Sequence, residues 1–384
     1  MRREASPPRK DLAREFGELG FVARYADGAP YWDESVRYVF SLEEIERDLE
    51  AGVADLHALA LDVVDRAVGN EATLARLKIP RRAWDVIAES WRRRDPSLYG
   101  RFDFSYDGSG PPKLLEYNAD TPTSLFEAAV LQWRWLEALI AMGELPTGAD
   151  QFNSLHEKLI ARWAALARGG AVHFACEMAE VDDRGTLAYI QDCAQQGGIA
   201  TLSLDMADIG LKGDCFYDRS RRRIAKLFKL YPWEWMLAEP FGQADAVGGT
   251  QWIEPPWKLI LSCKGALALM WDCAANHPNL LACGFEDDPH CPPMRYFARK
   301  PLYSREGANI ELFGPEGTIR GRDENYGGEG FVRQALCPLP NFDGQRPLIG
   351  AWVVGDEPAG IGLREDASAI TTNRARFVPH VILD

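Results

Sequence analysis

Positive charge is scarce in this chain. Lysine and arginine total 43 against 57 aspartate and glutamate, a formal net charge of −14 over 384 residues. Nucleic acid and anionic membrane both need a basic face, so neither is expected as a partner. An acidic balance favours steering of a cationic small molecule, although solubility alone would also account for it. Long apolar runs are missing as well. No stretch approaches the length of a membrane span, and Met1 to Gly20 is charged, without the apolar centre of an export signal. The eight cysteines form no C-x-x-C pair and no regular framework. They read as reduced thiols, and the chain as cytoplasmic. Cys273, His277, Cys283, His290 and Cys291 lie close together, but their spacing fits no zinc finger, ribbon or knuckle. A proline-rich surface connection with ordinary thiols is the plainer reading, and a zinc-stabilised scaffold the other.

What the chain does have is concentrated between Arg101 and Asn118. Two short alternating runs flank the turn-rich stretch from Asp107 to Pro112, which predicts a hairpin with a longer loop. Residues two apart on a strand point the same way, so Arg101 and Asp103 share a face, as do Glu116 and Asn118. Asp103, Glu116 and Asn118 offer only oxygen ligands. Such a set suits Mg²⁺, which keeps waters and leans on substrate phosphates. Arg101 adds a fork for a phosphate or carboxylate. On the pattern alone, the same side chains could equally be a solvated hairpin face, with Asp103 and Glu116 paired to Arg101 or Lys113.

The length allows two or three domains or one elaborate one. Ser41-Leu-Glu-Glu44 is a capping box opening a long helix with the stripe Ile45, Leu49, Val53, Leu56, Ala60, Val63 and Ala67, closed at Gly69-Asn70. Another helix is expected over Arg81 to Arg94. After the hairpin, Ser124 is placed to cap a helix over Leu125 to Ala141. Hydroxyls and backbone N–H groups at that start could also meet an anion. Leu155 to Arg168 and Asp183 to Gly197 read as helices. Val172 to Cys176 and Ile199 to Leu204 read as strands, which makes a βαβ-like unit. Arg219 to Lys229, with Arg221-Arg-Arg223, reads as a basic solvated helix, and Gly248 to Pro256 as a linker. Lys264 precedes an apolar helix. Phe297 to Pro301 and Phe331 to Ala335 read as strands, and Ser304 to Asn309 as a small-residue turn able to fold over phosphates. Leu348 to Val354 and Ala359 to Arg364 form a hairpin around Gly355-Asp-Glu-Pro358, continued by Asp366 to Thr372.

These segments together resemble the synthetase domain of the glutathionylspermidine synthase family, ATP-grasp acid–amine ligases. The residues that carry the likeness are Arg101-Phe-Asp103, Glu116-Tyr-Asn118-Ala-Asp-Thr121, Lys300 through Asn309, Ala359 through Asp366, and Arg376-Phe-Val-Pro-His380. The likeness spans nearly the whole chain and is greatest to short stand-alone members. Longer members carry an N-terminal cysteine amidase domain that is not found here, so no product hydrolysis is expected.

The resemblance implies an α+β fold, an ATP-grasp with circularly permuted motif order. A helical N-terminal part would cover 1–100. The metal-binding hairpin and its following helix would cover 101–150. An α/β substrate subdomain would cover 151–250, and the nucleotide-binding region 251–384. Carried over by position, Asp103, Glu116 and Asn118 would hold Mg²⁺. Lys264, Lys300, Ser304, Arg305, Gly307, Asn309 and Gln334 would bind ATP. Arg101, Thr121, Thr123 and Arg364 would hold the acid or its acyl phosphate, with Arg101 and Arg364 as the catalytic pair. Asp182 and Asp183 would hold the amine, expected to be a polyamine joined to a glutathione-like or peptide-like acid. Two departures stand out. The acidic pair is Asp-Asp where the family has glutamates, and Leu230 and Tyr231 fall where the synthetases offer glutathione a hydroxyl. No side chain is an obvious base for the amine. The other reading for the whole chain is a nucleotide-binding sensor without ligase activity.

Overall fold

The computed structural model describes residues 1–10, 12–22, 24–25, 28–166, 169–243 and 245–383. It is a mixed α/β structure with two five-stranded antiparallel sheets and a four-stranded parallel sheet among the described residues. The central sheet runs Arg376–Val378, Glu357–Asp366, Arg346–Val354, Tyr99–Ser105 and Lys113–Asn118. Tyr99–Ser105 is buried at every position. That is why its alternation of polar and apolar residues marks two packed faces rather than one wet and one dry. The second antiparallel sheet runs Cys283–Phe285, Phe331–Ala335, Phe297–Pro301, Glu311–Gly314 and Gly317–Arg320.

The parallel sheet runs Gln251–Ile253, Lys226–Leu230, Val172–Cys176 and Thr201–Asp205. The helix Val181–Gln196 crosses over from Val172–Cys176 to Thr201–Asp205, the helix Leu155–Leu166 leads into the sheet, and burial on both faces makes Val172–Cys176 wholly apolar or packed. Arg168, the expected end of the first helix, lies outside the described residues. Chain ends meet in a fourth sheet, where His380–Ile382 lies parallel to Val36–Phe40, itself paired with Arg2–Ala5. The first hundred residues therefore contribute strands as well as helices.

The capping box forms as expected. Ser41 Oγ accepts Glu44 N at 3.2 Å and Glu44 Oε2 accepts Ser41 N at 2.8 Å. The helix behind it starts with a π-helical stretch, Glu44–Glu50, and continues as Ala51–Val68, with its whole predicted stripe buried. A short helix, Glu71–Arg76, follows, and the helix expected over Arg81 to Arg94 spans Arg81–Arg92.

Four local expectations give way. The basic helix over Arg219 to Lys229 is instead a tight turn followed by the strand Lys226–Leu230. Asp218 holds the turn through Arg222 N and Nε at 2.8 and 2.7 Å, and the alternation of Leu227, Phe228 and Leu230 belongs to a buried strand. The stretch Gly248 to Pro256 is no linker, because Gln251–Ile253 adds an edge to the parallel sheet. Asp366 to Thr372 turns rather than continuing the hairpin: Asp366 accepts Ser368 N, Thr372 N and Thr372 Oγ1. Ser124 has a left-handed backbone (φ 67°), and its hydroxyl lies 3.3 Å from Tyr31 Oη rather than capping the helix of residues 125–141.

Candidate active site

The hairpin places its polar side chains by register. Arg101 faces Asn118 and Asp103 faces Glu116, all on one side of the sheet. Pairing then shifts by a residue between Asp103 and Phe104, leaving Leu115 as the bulge. Its carbonyl accepts Lys300 Nζ at 2.8 Å, and the same amine donates to Gln334 Oε1 at 2.7 Å. Gln334 Nε2 donates to the Leu114 carbonyl at 2.9 Å. The two antiparallel sheets are thus joined where the metal-ligand candidates sit.

Arg101 grips Asp103 with both prongs, Nε to Oδ1 at 2.6 Å and Nη2 to Oδ2 at 3.0 Å, and donates to the Thr123 carbonyl. Asn118 Nδ2 adds a bond to Asp103 Oδ2 at 3.0 Å. Burial opposes charge on Arg101, but the Asp103 carboxylate outweighs it and holds the guanidinium above its ordinary pKa. Glu116 Oε1 lies 3.0 Å from Lys264 Nζ, which also donates to the Ser304 carbonyl at 2.8 Å. Burial would raise the Glu116 carboxyl, yet Lys264 and Lys300 together pull it below its usual value. Burial also dominates at Lys300 and lowers its amine to about 8, against the opposing pull of Glu116.

These residues line a cavity of about 1120 Å³, at the upper end of what single-ligand pockets offer. Of the residues singled out in the sequence, Arg101, Asp103, Glu116, Asn118, Thr121, Thr123, Asp182, Asp183, Lys300, Ser304, Arg305, Gly307, Gln334 and Arg364 all line it. Lys264 and Asn309 are not on its wall. Lys264 lies behind Glu116, and the Asn309 amide is used inside its own loop, bonded to Asp323 Oδ1 and the Glu324 carbonyl.

The loop from Ser304 to Asn309 is tied down more than small residues suggest. Arg305 donates to Thr121 Oγ1 at 2.9 Å and pairs with Glu234 Oε1 at 3.0 Å. Gly307 has φ 72°, and a Cβ there would stand 2.7 Å from Ile370 Cγ2 and 2.9 Å from the Thr371 carbonyl, so only glycine fits. Ser304 Oγ and Arg305 Nε are buried donors with no partner in the protein, and an anion would satisfy both. On the far wall, burial raises Asp183 to about 6, helped by Glu177, Glu180 and Asp182.

The donor set at the hairpin is all oxygen, as a hard divalent cation requires. It holds only two carboxylates. Among the described residues no group of three or more His, Cys, Asp and Glu is arranged around a metal. A cation here would therefore lean on Asn118 and on phosphate oxygens. No helix among the described residues is long and apolar enough to cross a membrane.

Sequence reasoning missed three contributors. The N-terminal segment before the strand Val36–Phe40 supplies Phe21, Tyr25 and Tyr31 to the cavity wall, with no motif to announce them. Glu127 lines the wall from within an apolar helix. Asp120 is held by the buried Lys229, Nζ to Oδ1 at 2.8 Å, and by Trp233 N at 2.8 Å. A lysine set between Phe228 and Leu230 in a strand was the available sign of that pair. Leu230 and Tyr231 do not line the cavity, and the Tyr231 hydroxyl is turned to Glu239.

Comparison with known proteins adds an independent line. The signature of the family described as glutathionylspermidine synthase, preATP-grasp, matches residues 3–383. A Haemophilus influenzae protein provisionally named an acid–amine ligase is 39% identical over 389 residues, covering 97% of each chain. The trypanothione synthetase of Crithidia fasciculata is 28% identical over 82% of this chain, which spans 52% of that longer relative. Among solved structures, the apo form of a glutathione synthetase-like effector from Globodera pallida superposes with a TM-score of 0.55. The match covers 90% of this chain and 88% of that one at 11% identity, a likeness of fold alone.

Proposed function

Because the chain belongs to the glutathionylspermidine synthase family, we propose that it is an ATP- and Mg²⁺-dependent ligase joining a carboxylate to an amine. The observation that carries this is the convergence of oxygen ligands, Lys300 and orphaned loop donors on one cavity, with Lys264 paired to Glu116 behind it. Asp103, Glu116 and Asn118 would hold Mg²⁺, which when bound neutralises phosphate charge. On this reading the fold is an ATP-grasp whose metal ligands precede its lysines in the chain, a permuted order. The hairpin of 101–150 and the region 251–384 clasp ATP, 151–250 serves the substrates, and 1–100 buttresses both. The eight thiols are all unpaired, which suits a reducing, cytoplasmic setting.

The acid substrate is glutathione-like or peptide-like and the amine a polyamine. Arg101, Thr121, Thr123 and Arg364 hold the acid, whose carboxylate oxygen attacks the γ-phosphate to give an acyl phosphate and ADP. Lys264, Lys300, Gln334 and the loop from Ser304 to Asn309 hold the nucleotide. Lys264 acts by fixing Glu116 and the Ser304 carbonyl, and Asn309 by fixing the loop's shape. Phosphoryl transfer asks for positioning and charge neutralisation, which is what this set offers. Asp182 and Asp183 draw in the cationic amine. The test is turnover. Repeated turnover to ADP should require an acid and an amine together. Tight ATP binding with no ADP under any acid–amine pair would mark a non-catalytic sensor instead.

A further inference from the structure

Nitrogen cannot attack an acyl phosphate while it is protonated, and the assignment above leaves the proton without a destination. Glu127 lies in the first turn of the helix of residues 125–141 and lines the cavity, though only 8% exposed. Its carboxylate accepts the Tyr31 hydroxyl, whose oxygen is also 3.3 Å from Ser124 Oγ. The charges that act on it come from opposite sides of the proposed site: Asp182 from the amine wall and Arg364 from the acyl wall. Three other carboxylates of the cavity have other work. Asp103 and Glu116 are engaged by Arg101 and Lys264. Asp183 sits among Glu177, Glu180 and Asp182, where the field suits holding a cation.

We propose that Glu127 is the general base that takes a proton from the incoming ammonium, an inference that rests on the ligase reading. The ammonium gives one proton to the Glu127 carboxylate and becomes a free amine. Its lone pair forms the C–N bond at the acyl carbon as the C–O bond to phosphate breaks, the electron pair leaving with phosphate. The second nitrogen proton leaves with phosphate, and Glu127 returns its proton to water. The environment fits the task. Burial raises the carboxyl above its ordinary range, Tyr31 pulls it down by hydrogen bonding, Asp182 pushes it up and Arg364 draws it down. Tyr25 also faces it from the N-terminal segment. A base works best when its affinity for protons approaches the working pH.

The experiment uses the full chain with ATP, Mg²⁺ and glutathione, and either spermidine or hydroxylamine as nucleophile. Hydroxylamine is already uncharged at neutral pH and needs no base. E127Q keeps the shape and can still accept from Tyr31. Amide formation with spermidine should fall roughly 100-fold or more in E127Q, while hydroxamate formation and the KM for ATP stay within about threefold of the parent. Y31F removes a bond that lowers the Glu127 carboxyl, so the acid limb of kcat with spermidine should move to higher pH. Equal slowing of both nucleophiles in E127Q, or no slowing of either, overturns the assignment while leaving the ligase reading intact. A parent chain that makes neither product, from glutathione or from a pool of small peptides, removes both.

Discussion

Arg101 owes its place to a residue with no side chain. Gly350 lies across from Asp103 in the neighbouring strand, and a Cβ there would stand 2.6 Å from Arg101 Cδ. The guanidinium can then grip Asp103 while lying 5.6 Å from the Trp352 ring. With Arg101 fixed, the three candidate oxygen ligands are presented together. Asp103→Ala, Glu116→Ala or Asn118→Ala should each cut ATP-dependent turnover roughly 100-fold or more, since each removes one ligand of a cation held largely by phosphates. The fold should be kept in the last two, with Asp103→Ala also losing stability because it strands the buried Arg101. Near-normal ADP release by all three at saturating Mg²⁺ would disprove the metal assignment. Lys300 gives a second expectation, with a sign. Its amine is lowered to about 8 by burial, so it carries its charge below that pH and loses it above. Nucleotide affinity by calorimetry should weaken as pH rises through about 8, and Lys300→Arg should flatten that limb because arginine stays charged. An identical pH dependence in parent and variant would remove Lys300 from the phosphate site.

At the scale of elements, a strand of the parallel sheet anchors the site segment of the hairpin. Lys229 and Asp120 are paired at 2.8 Å with side chains 0% and 1% exposed. Lys229 also caps the Tyr231 carbonyl at 2.8 Å and lies 4.5 Å from the Trp233 ring. Removing one partner strands a buried charge, so Lys229→Ala should cost about 3–5 kcal/mol in urea unfolding. A loss near that of a surface substitution would mean the pair is not a structural tie. The same strand shows where the sequence was hard to read. Arginines at 219 and 221–223 next to Lys226 and Lys229 look like one basic face. In fact the arginines lie in or beside a turn, and Lys229 points into a packed interior. The hairpin was legible because its alternation, turn residues and ligand spacing all agree. The edge strand Gln251–Ile253 was not, because it is short and flanked by glycines and prolines. Tyr31 and Glu127 were invisible because nothing local joins residues 96 apart.

On the scale of the whole molecule, the cavity lies where separate sheets and the N-terminal segment converge, so no single stretch of chain contains the site. The sequence could name the residues on the hairpin and on the strands and loop that follow, because each sits in a short patterned run. It could not say that Lys264 pairs with Glu116, or that the N-terminal segment walls the cavity, since both depend on tertiary packing. On the ligase reading, ATP is spent to activate a carboxylate. Glutathione carrying ¹⁸O in its carboxylates, incubated with the protein, ATP, Mg²⁺ and spermidine, tests that claim through the isotope content of the phosphate released. Attack by a carboxylate oxygen on the γ-phosphate predicts ¹⁸O in the phosphate, released together with ADP and the amide. Amide formed alongside unlabelled phosphate, or with AMP in place of ADP, would contradict it.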